Sequence, residues 1–151
     1  MIRIRWETDY GLLLLGHLVQ CAPDGSVRTA REIARSSDLP LPIVSKILKT
    51  LARRGILISH RGVKGGYSLS QPPERLTLAE VVQALEGPIG ITECASHPGA
   101  CEKESGCPLR PNWLRISSAF RETLEKISLS EMFSLPSSTL LHIENTGRKA
   151  S

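Results

Sequence analysis

Residues 29–69 read TAREIARSSDLPLPIVSKILKTLARRGILISHRGVKGGYSL. Thr29 precedes a helix-forming run, and Glu32 follows it at capping-box spacing. The pattern predicts a short helix over 30–36, with Ile33 and Ala34 as its apolar face. Ser37-Asp-Leu-Pro is a turn. Pro42 suits the first turn of a second helix, where a missing N–H costs nothing. That helix should run to about Arg54, with Ile43, Ile47, Leu48 and Leu51 inward and Ser45, Lys46, Lys49 and Arg53 outward. Gly55 is expected to end it in the left-handed conformation. Two short helices joined by a tight turn, the second with a polar and basic outer face, form a helix-turn-helix pattern. Two β-type runs follow, Ile56-Leu-Ile-Ser and Tyr67-Ser-Leu. Between them lies Arg61-Gly-Val-Lys-Gly-Gly, a glycine-rich tip that carries cations. A hairpin placed directly after such a helix is a wing.

Charge supports this reading. The net charge is only +4 over 151 residues, but it is unevenly placed. Residues 39–73 contain Lys46, Lys49, Arg53, Arg54, Arg61 and Lys64 and no Asp or Glu. Such clustering points to a polyanion, with a solvated basic face as the bland alternative. The residues expected to meet a nucleic-acid duplex are Thr29, Pro42, Ser45, Lys46, Lys49 and Arg53 from the helices, and Arg61, Lys64, Gly65, Gly66 and Tyr67 from the wing.

Upstream, Thr8 is expected to cap a helix over 9–21, with Asp9 at the positive end of its dipole. Tyr10, Leu14, Leu18 and Cys21 recur at helical spacing, which places Cys21 in the core. Ala22-Pro-Asp-Gly is a turn. Downstream, Thr77 should cap a helix over about 78–85, with Val81, Val82 and Leu85 on its apolar side and Gly87-Pro88 as its stop. A long helix is expected over 111–127. Its stripe of Trp113, Ile116, Phe120, Leu124 and Ile127 is as narrow as a coiled-coil seam. Two copies pairing across a two-fold axis would cover it; the alternative is a helix folded back on its own domain. Residues 128–133 should add one more helical turn. The expected organisation is a winged helix-turn-helix domain over 1–88, a cysteine loop over 89–110, a dimerisation helix with a short C-terminal helix over 111–135, and a flexible tail over 136–151. The fold class is mainly α with a small β-hairpin wing.

The loop reads ITECASHPGACEKESGCPLRPNW from Ile91 to Trp113 and holds three of the four cysteines, Cys94, Cys101 and Cys107. It has almost nothing to bury, so either something cross-links it or it stays mobile. Three chemistries compete. Structural zinc usually shows Cys pairs two to four residues apart, and only His97 or an acid could complete the set here. A thiol–disulfide switch needs one bridge and leaves a spare thiol. An iron–sulfur cluster spans more space, which suits gaps of six and then five residues. Arg3 and Arg5 precede an apolar run, but Glu7, Asp9 and His17 interrupt it, so no signal peptide is expected. No stretch reaches the length of a membrane span. The expected setting is cytoplasmic, where clustered cysteines do metal or redox work. No base, nucleophile and orienting group gather, so no enzyme and no small-molecule substrate are expected.

The motifs Thr8-Asp-Tyr-Gly, Leu39-Pro-Leu-Pro-Ile-Val-Ser-Lys-Ile-Leu-Lys, Arg61-Gly-Val-Lys-Gly-Gly-Tyr and Leu85-Glu-Gly-Pro, ahead of three spaced cysteines, resemble the Rrf-two family of bacterial winged-helix regulators. This family includes the IscR and NsrR types. The resemblance covers about the first 130 residues. With Pro111-Asn-Trp after the cysteines, it is most similar to the branch that regulates the SUF iron–sulfur assembly operon. It implies a homodimer on a near-palindromic operator, a long dimerisation helix, and an iron–sulfur cluster on Cys94, Cys101 and Cys107, 2Fe–2S in preference to 4Fe–4S. It also implies repression of iron–sulfur assembly genes. A metal-free thiol or nitric-oxide responsive repressor and a zinc-stabilised DNA-binding protein are the alternatives. The IscR type has a His three residues after its third Cys, where this chain has Arg110. The NsrR type takes an acidic ligand from the partner subunit, and Asp9 stands at the matching place, where it also suits a helix start. Glu7, His97, Glu102 and Glu104 are weaker candidates.

Overall fold

The computed structural model describes residues 3–134. The tail expected over 136–151 lies outside the described residues. The order of elements is α1 (Trp6–Cys21), α2 (Ala30–Ser37), α3 (Leu41–Arg53), β1 (Leu57–His60), β2 (Gly66–Leu69), α4 (Leu78–Glu86), α5 (Glu93–Ser96), a single 3-10 turn (Glu104–Gly106), α6 (Arg110–Glu125) and α7 (Leu129–Ser134). It is a mainly helical winged-helix fold with one antiparallel hairpin.

Local signals set the head. Thr29 and Glu32 form the expected capping box in both directions, and Thr77 and Glu80 form a second at the start of α4. Each box satisfies two helix-end N–H groups that would otherwise be orphaned. Gly55, at φ +79°, turns the chain out of α3. The hairpin pairs Leu57 with Leu69 and His60 with Gly66. Arg28 adds a third strand segment: its N–H donates to the Tyr67 carbonyl, and the Tyr67 N–H donates back.

The core gathers Leu14, Leu15 and Leu18 of α1, Val44, Ile47, Leu48 and Leu51 of α3, and Val81 and Leu85 of α4. Here the structure corrects the sequence. Val44, not Ile43, completes the buried stripe of α3, because positions 44, 47, 48 and 51 lie closest to one line on a 3.6-residue helix. Ile43 packs at its margin. Helix α1 starts at Trp6, three residues before the expected first helical position, and Arg5 at its N-cap makes no side-chain cap. Thr8 is no cap: it is fully buried, and its hydroxyl donates to Glu86 at 2.6 Å. Cys21 is exposed, not core. It ends α1, where Arg28 donates to its carbonyl at 2.6 Å, and Ala22 takes the buried place instead.

The last helix belongs to the same core. Leu129 is fully buried. Its N–H donates to the Leu76 carbonyl at 2.8 Å, and the Leu78 N–H donates to Ile127 at 2.8 Å, so residues 127–129 pair with 76–78 beneath α4. Ser128 and Glu131 cap α7 reciprocally. Phe133 packs over Gly16, where an added Cβ would lie 2.6 Å from its ring.

Candidate functional site

On α3, Pro42, Lys46, Lys49 and Arg53 are exposed and Ser45 is half-buried. Thr50 donates to the Lys46 carbonyl, and Arg53 donates to the Thr50 hydroxyl, which steadies this face. Lys46 has close neighbours on α1. Its Nζ lies 3.8 Å from the Glu7 carboxylate and 6.0 Å from the Trp6 ring centre. Among the described residues, Lys49, Arg53, Arg61 and Lys64 have no carboxylate within ion-pair range. An unneutralised row of this kind attracts phosphate.

In the wing, Arg61 and Lys64 are exposed. Gly62 sits at φ +103°. Gly65 donates its N–H to the Gly62 carbonyl at 3.0 Å, and a Cβ there would lie 2.5 Å from the His60 carbonyl. A Cβ on Gly66 would lie 2.3 Å from the Arg28 carbonyl. Both glycines thus serve close backbone packing, as Tyr67 serves the sheet. Thr29 commits its hydroxyl to its capping box. His60, which no local sequence pattern singles out, faces Ser68 across the hairpin with its Nε2 2.9 Å from Oγ.

The cysteine segment is held at two points. The Ile91 N–H donates to the buried Ser117 hydroxyl of α6 at 3.1 Å, and Gly90 lies against the backbone of Ala95 and Ser96. This seats α5 and Cys94, whose Sγ is 3.3 Å from the Thr92 hydroxyl. The second point is Glu104. Its carboxylate accepts the Gly99 N–H at 2.6 Å and the Arg110 guanidinium at 2.7 Å. Glu104 thereby ties the turn at Gly99 to the start of α6. Cys94, Cys101 and Cys107 are free and half-buried. Among the described residues, no three Cys, His, Asp or Glu side chains gather as a ligand set. The donor chemistry of three thiols suits a thiophilic centre. Asp9 and Glu102 are exposed, Glu7 faces Lys46, and His97 lies 3.9 Å from Glu93.

Helix α6 divides its apolar stripe. Phe120 and Leu124 line a groove of about 260 Å³ with Ile4, Val82 and Pro88 of the same chain. Ile127 is half-buried just beyond the helix end. Trp113, Leu114 and Ile116 are 37%, 36% and 43% exposed. Phe120, Leu124 and Ile127 are thus only partly covered by their own chain, and Trp113, Leu114 and Ile116 are open.

A helix-turn-helix with a cationic wing, followed by a long helix with an open apolar end, defines a winged-helix transcriptional regulator. A sequence model of the Rrf2 family, described as an iron-dependent transcriptional regulator, matches residues 4–134, and the chain belongs to that family, the Rrf-two family of the sequence motifs. It is 26% identical over 133 residues to the HTH-type transcriptional regulator CymR of Bacillus subtilis, covering 88% of this chain and 91% of the relative. The structure of B. subtilis CymR, a global cysteine regulator, superposes with a TM-score of 0.67 at 28% identity, over 89% of this chain and 98% of that one. T. potens IscR shares the fold, with a TM-score of 0.64 at 21% identity over 88% and 87% of the two chains. Among the described residues, no helix is long and apolar enough to cross a membrane.

Proposed function

We propose that this regulator binds a near-palindromic operator as a homodimer and that its three-cysteine segment carries an iron–sulfur cluster whose state sets operator affinity. The observation that carries the reading is the placement of three free, half-buried thiols on one segment between the DNA-reading head and the open end of α6. The description of the family as iron-dependent supports it. Cys94, Cys101 and Cys107 would hold the cluster, with Asp9 of a second copy as fourth ligand and 2Fe–2S as its type. Bound, a cluster supplies iron that responds to redox change and nitric oxide.

The chain's own residues do the rest. The N-terminal turn of α3, with Pro42, Ser45 and Lys46, enters the major groove, while Arg61 and Lys64 take phosphates and Lys49 and Arg53 add non-specific affinity. Trp113 and Ile116 lead the dimer seam, continued by Phe120, Leu124 and Ile127. Cluster occupancy must favour one dimer geometry over another, or it changes nothing. The target genes are those of iron–sulfur assembly, repressed by the cluster-bound form in the cytoplasm.

A metal-free thiol switch has its own support, because a relative is a cysteine regulator. Iron, acid-labile sulfide and zinc measured on anaerobically purified protein separate the readings. Iron and sulfide with visible absorbance are expected; colourless, iron-free protein that binds its operator fully would remove the cluster.

A further inference from the structure

We propose that Val63, at the apex of the wing, is a sequence-reading residue: it packs an apolar wedge into the operator's minor groove and favours A·T over G·C at the step it meets. The inference rests on the DNA-binding reading above and adds a specificity contact to it.

Val63 is a fully exposed valine between two exposed cations, Arg61 and Lys64. It adds nothing to the core, so folding does not explain it. The apex is built rigidly. Gly65 closes the turn onto Gly62, and neither position admits a side chain: Gly62 by its φ of +103°, Gly65 by the two carbonyls its Cβ would strike. His60 and Ser68 tie the hairpin together behind it. A β-branched side chain has little rotamer freedom, so the wedge is preorganised.

Geometry and charge then select the surface it meets. Cations on either side seek the phosphate ridges, which points the apex at the groove between them. The minor groove is about 6 Å wide, and its sugar walls are apolar. A valine fits there, and apolar wedges are a recurring minor-groove device. G·C pairs place the guanine N2 amino group on that floor, where a valine would strip its water and offer no acceptor.

The probe is the duplex that the full-length protein selects from a randomised pool, with the wing-facing steps found by hydroxyl-radical footprinting. At those steps it is made with A·T, inosine·C or G·C. Inosine·C keeps the A·T minor-groove edge while presenting a G·C-like major groove. Wild type should bind A·T and inosine·C alike and G·C about tenfold more weakly. Val63→Ala should weaken the first two about fivefold and narrow the discrimination to within about twofold. Its salt slope and melting curve should match wild type, because the side chain is neutral and supports nothing. Arg61→Ala/Lys64→Ala should instead lower the salt slope. Val63→Ala binding all three duplexes as wild type does, or weakened equally on all three, would overturn the inference. So would wild type rejecting inosine·C as strongly as G·C, which would mark a major-groove contact. If wild type selects no duplex, the DNA-binding reading itself fails, and that outcome is distinct from these.

Discussion

Thr8, buried inside the first helix, donates its hydroxyl proton to Glu86 at 2.6 Å, at the point where the chain leaves the head for the cysteine segment. Arg5 adds its own N–H at 2.7 Å and its guanidinium at 2.9 Å to the same carboxylate, and also donates to the Leu85 carbonyl. The start of α1 and the end of α4 are thus one unit. The cysteine segment therefore departs from a fixed anchor at Glu86.

Glu86→Gln should destabilise the protein by about 1–3 kcal/mol, because it weakens hydrogen bonds that use the charge. Burial alone would raise the Glu86 pKa, but the Thr8 hydroxyl and the Arg5 N–H and guanidinium outweigh it and hold the group below its ordinary 4.5. A carboxylate whose folded pKa is depressed stabilises fully above its unfolded value and loses that contribution as pH falls through the folded one. Urea titrations should therefore show the full gap between wild type and variant above pH 4.5 and a closing gap below it. A gap independent of pH would mean that the charge does not matter.

Leu129→Ala should cost about 2–5 kcal/mol, although Leu129 lies far along the chain from the reading head. It is fully buried among α1, α3 and α4 residues. The denaturation midpoint of the variant is the check. An unchanged midpoint would place α7 outside the cooperative core.

The elements that were legible in the sequence were those fixed by neighbours along the chain. The capping boxes of Thr29 and Thr77, the Gly55 helix end and the hairpin each need only a few adjacent residues. What was illegible depended on distant partners. Thr8 sits where a cap is plausible, and only Glu86, folded against it, makes it a buried donor. Periodicity placed Cys21 with Leu14 and Leu18, but α1 ends over Arg28 instead of the core. The cysteine segment showed its three thiols but not the Glu104–Arg110 ion pair, because Gly99, Glu104 and Arg110 have no local pattern that joins them. The apolar stripe of α6 was visible, but not its division between this chain and open surface.

Glu104→Gln should loosen one half of the cysteine segment and leave the other seated. Glu104 is 14% exposed and Arg110 36%, so solvent screens the pair only in part. Alkylation of Cys101 and Cys107 in the metal-free protein should speed up about tenfold, while Cys94, seated by Gly90 and the Ile91–Ser117 bond, keeps its rate. Peptide mapping of labelled protein distinguishes the three. Equal acceleration at all three would show that the segment moves as one piece.

Glu7 should oppose DNA binding through Lys46, its neighbour at 3.8 Å. Glu7→Gln should tighten operator binding about two- to fivefold at low salt, and Lys46→Gln should abolish that gain. The same gain with and without Lys46 would mean that Glu7 merely repels phosphate.

Everything functional turns on whether the three thiols and the reading head are coupled. The direct measurement is an anaerobic operator titration of wild type and Cys101→Ala, with iron and sulfide determined on the same samples. Wild type should carry both and bind tightly, and should lose affinity as iron is removed; Cys101→Ala should start at the iron-free affinity and stay there. Identical titrations for both proteins, whatever their iron content, would contradict the coupling.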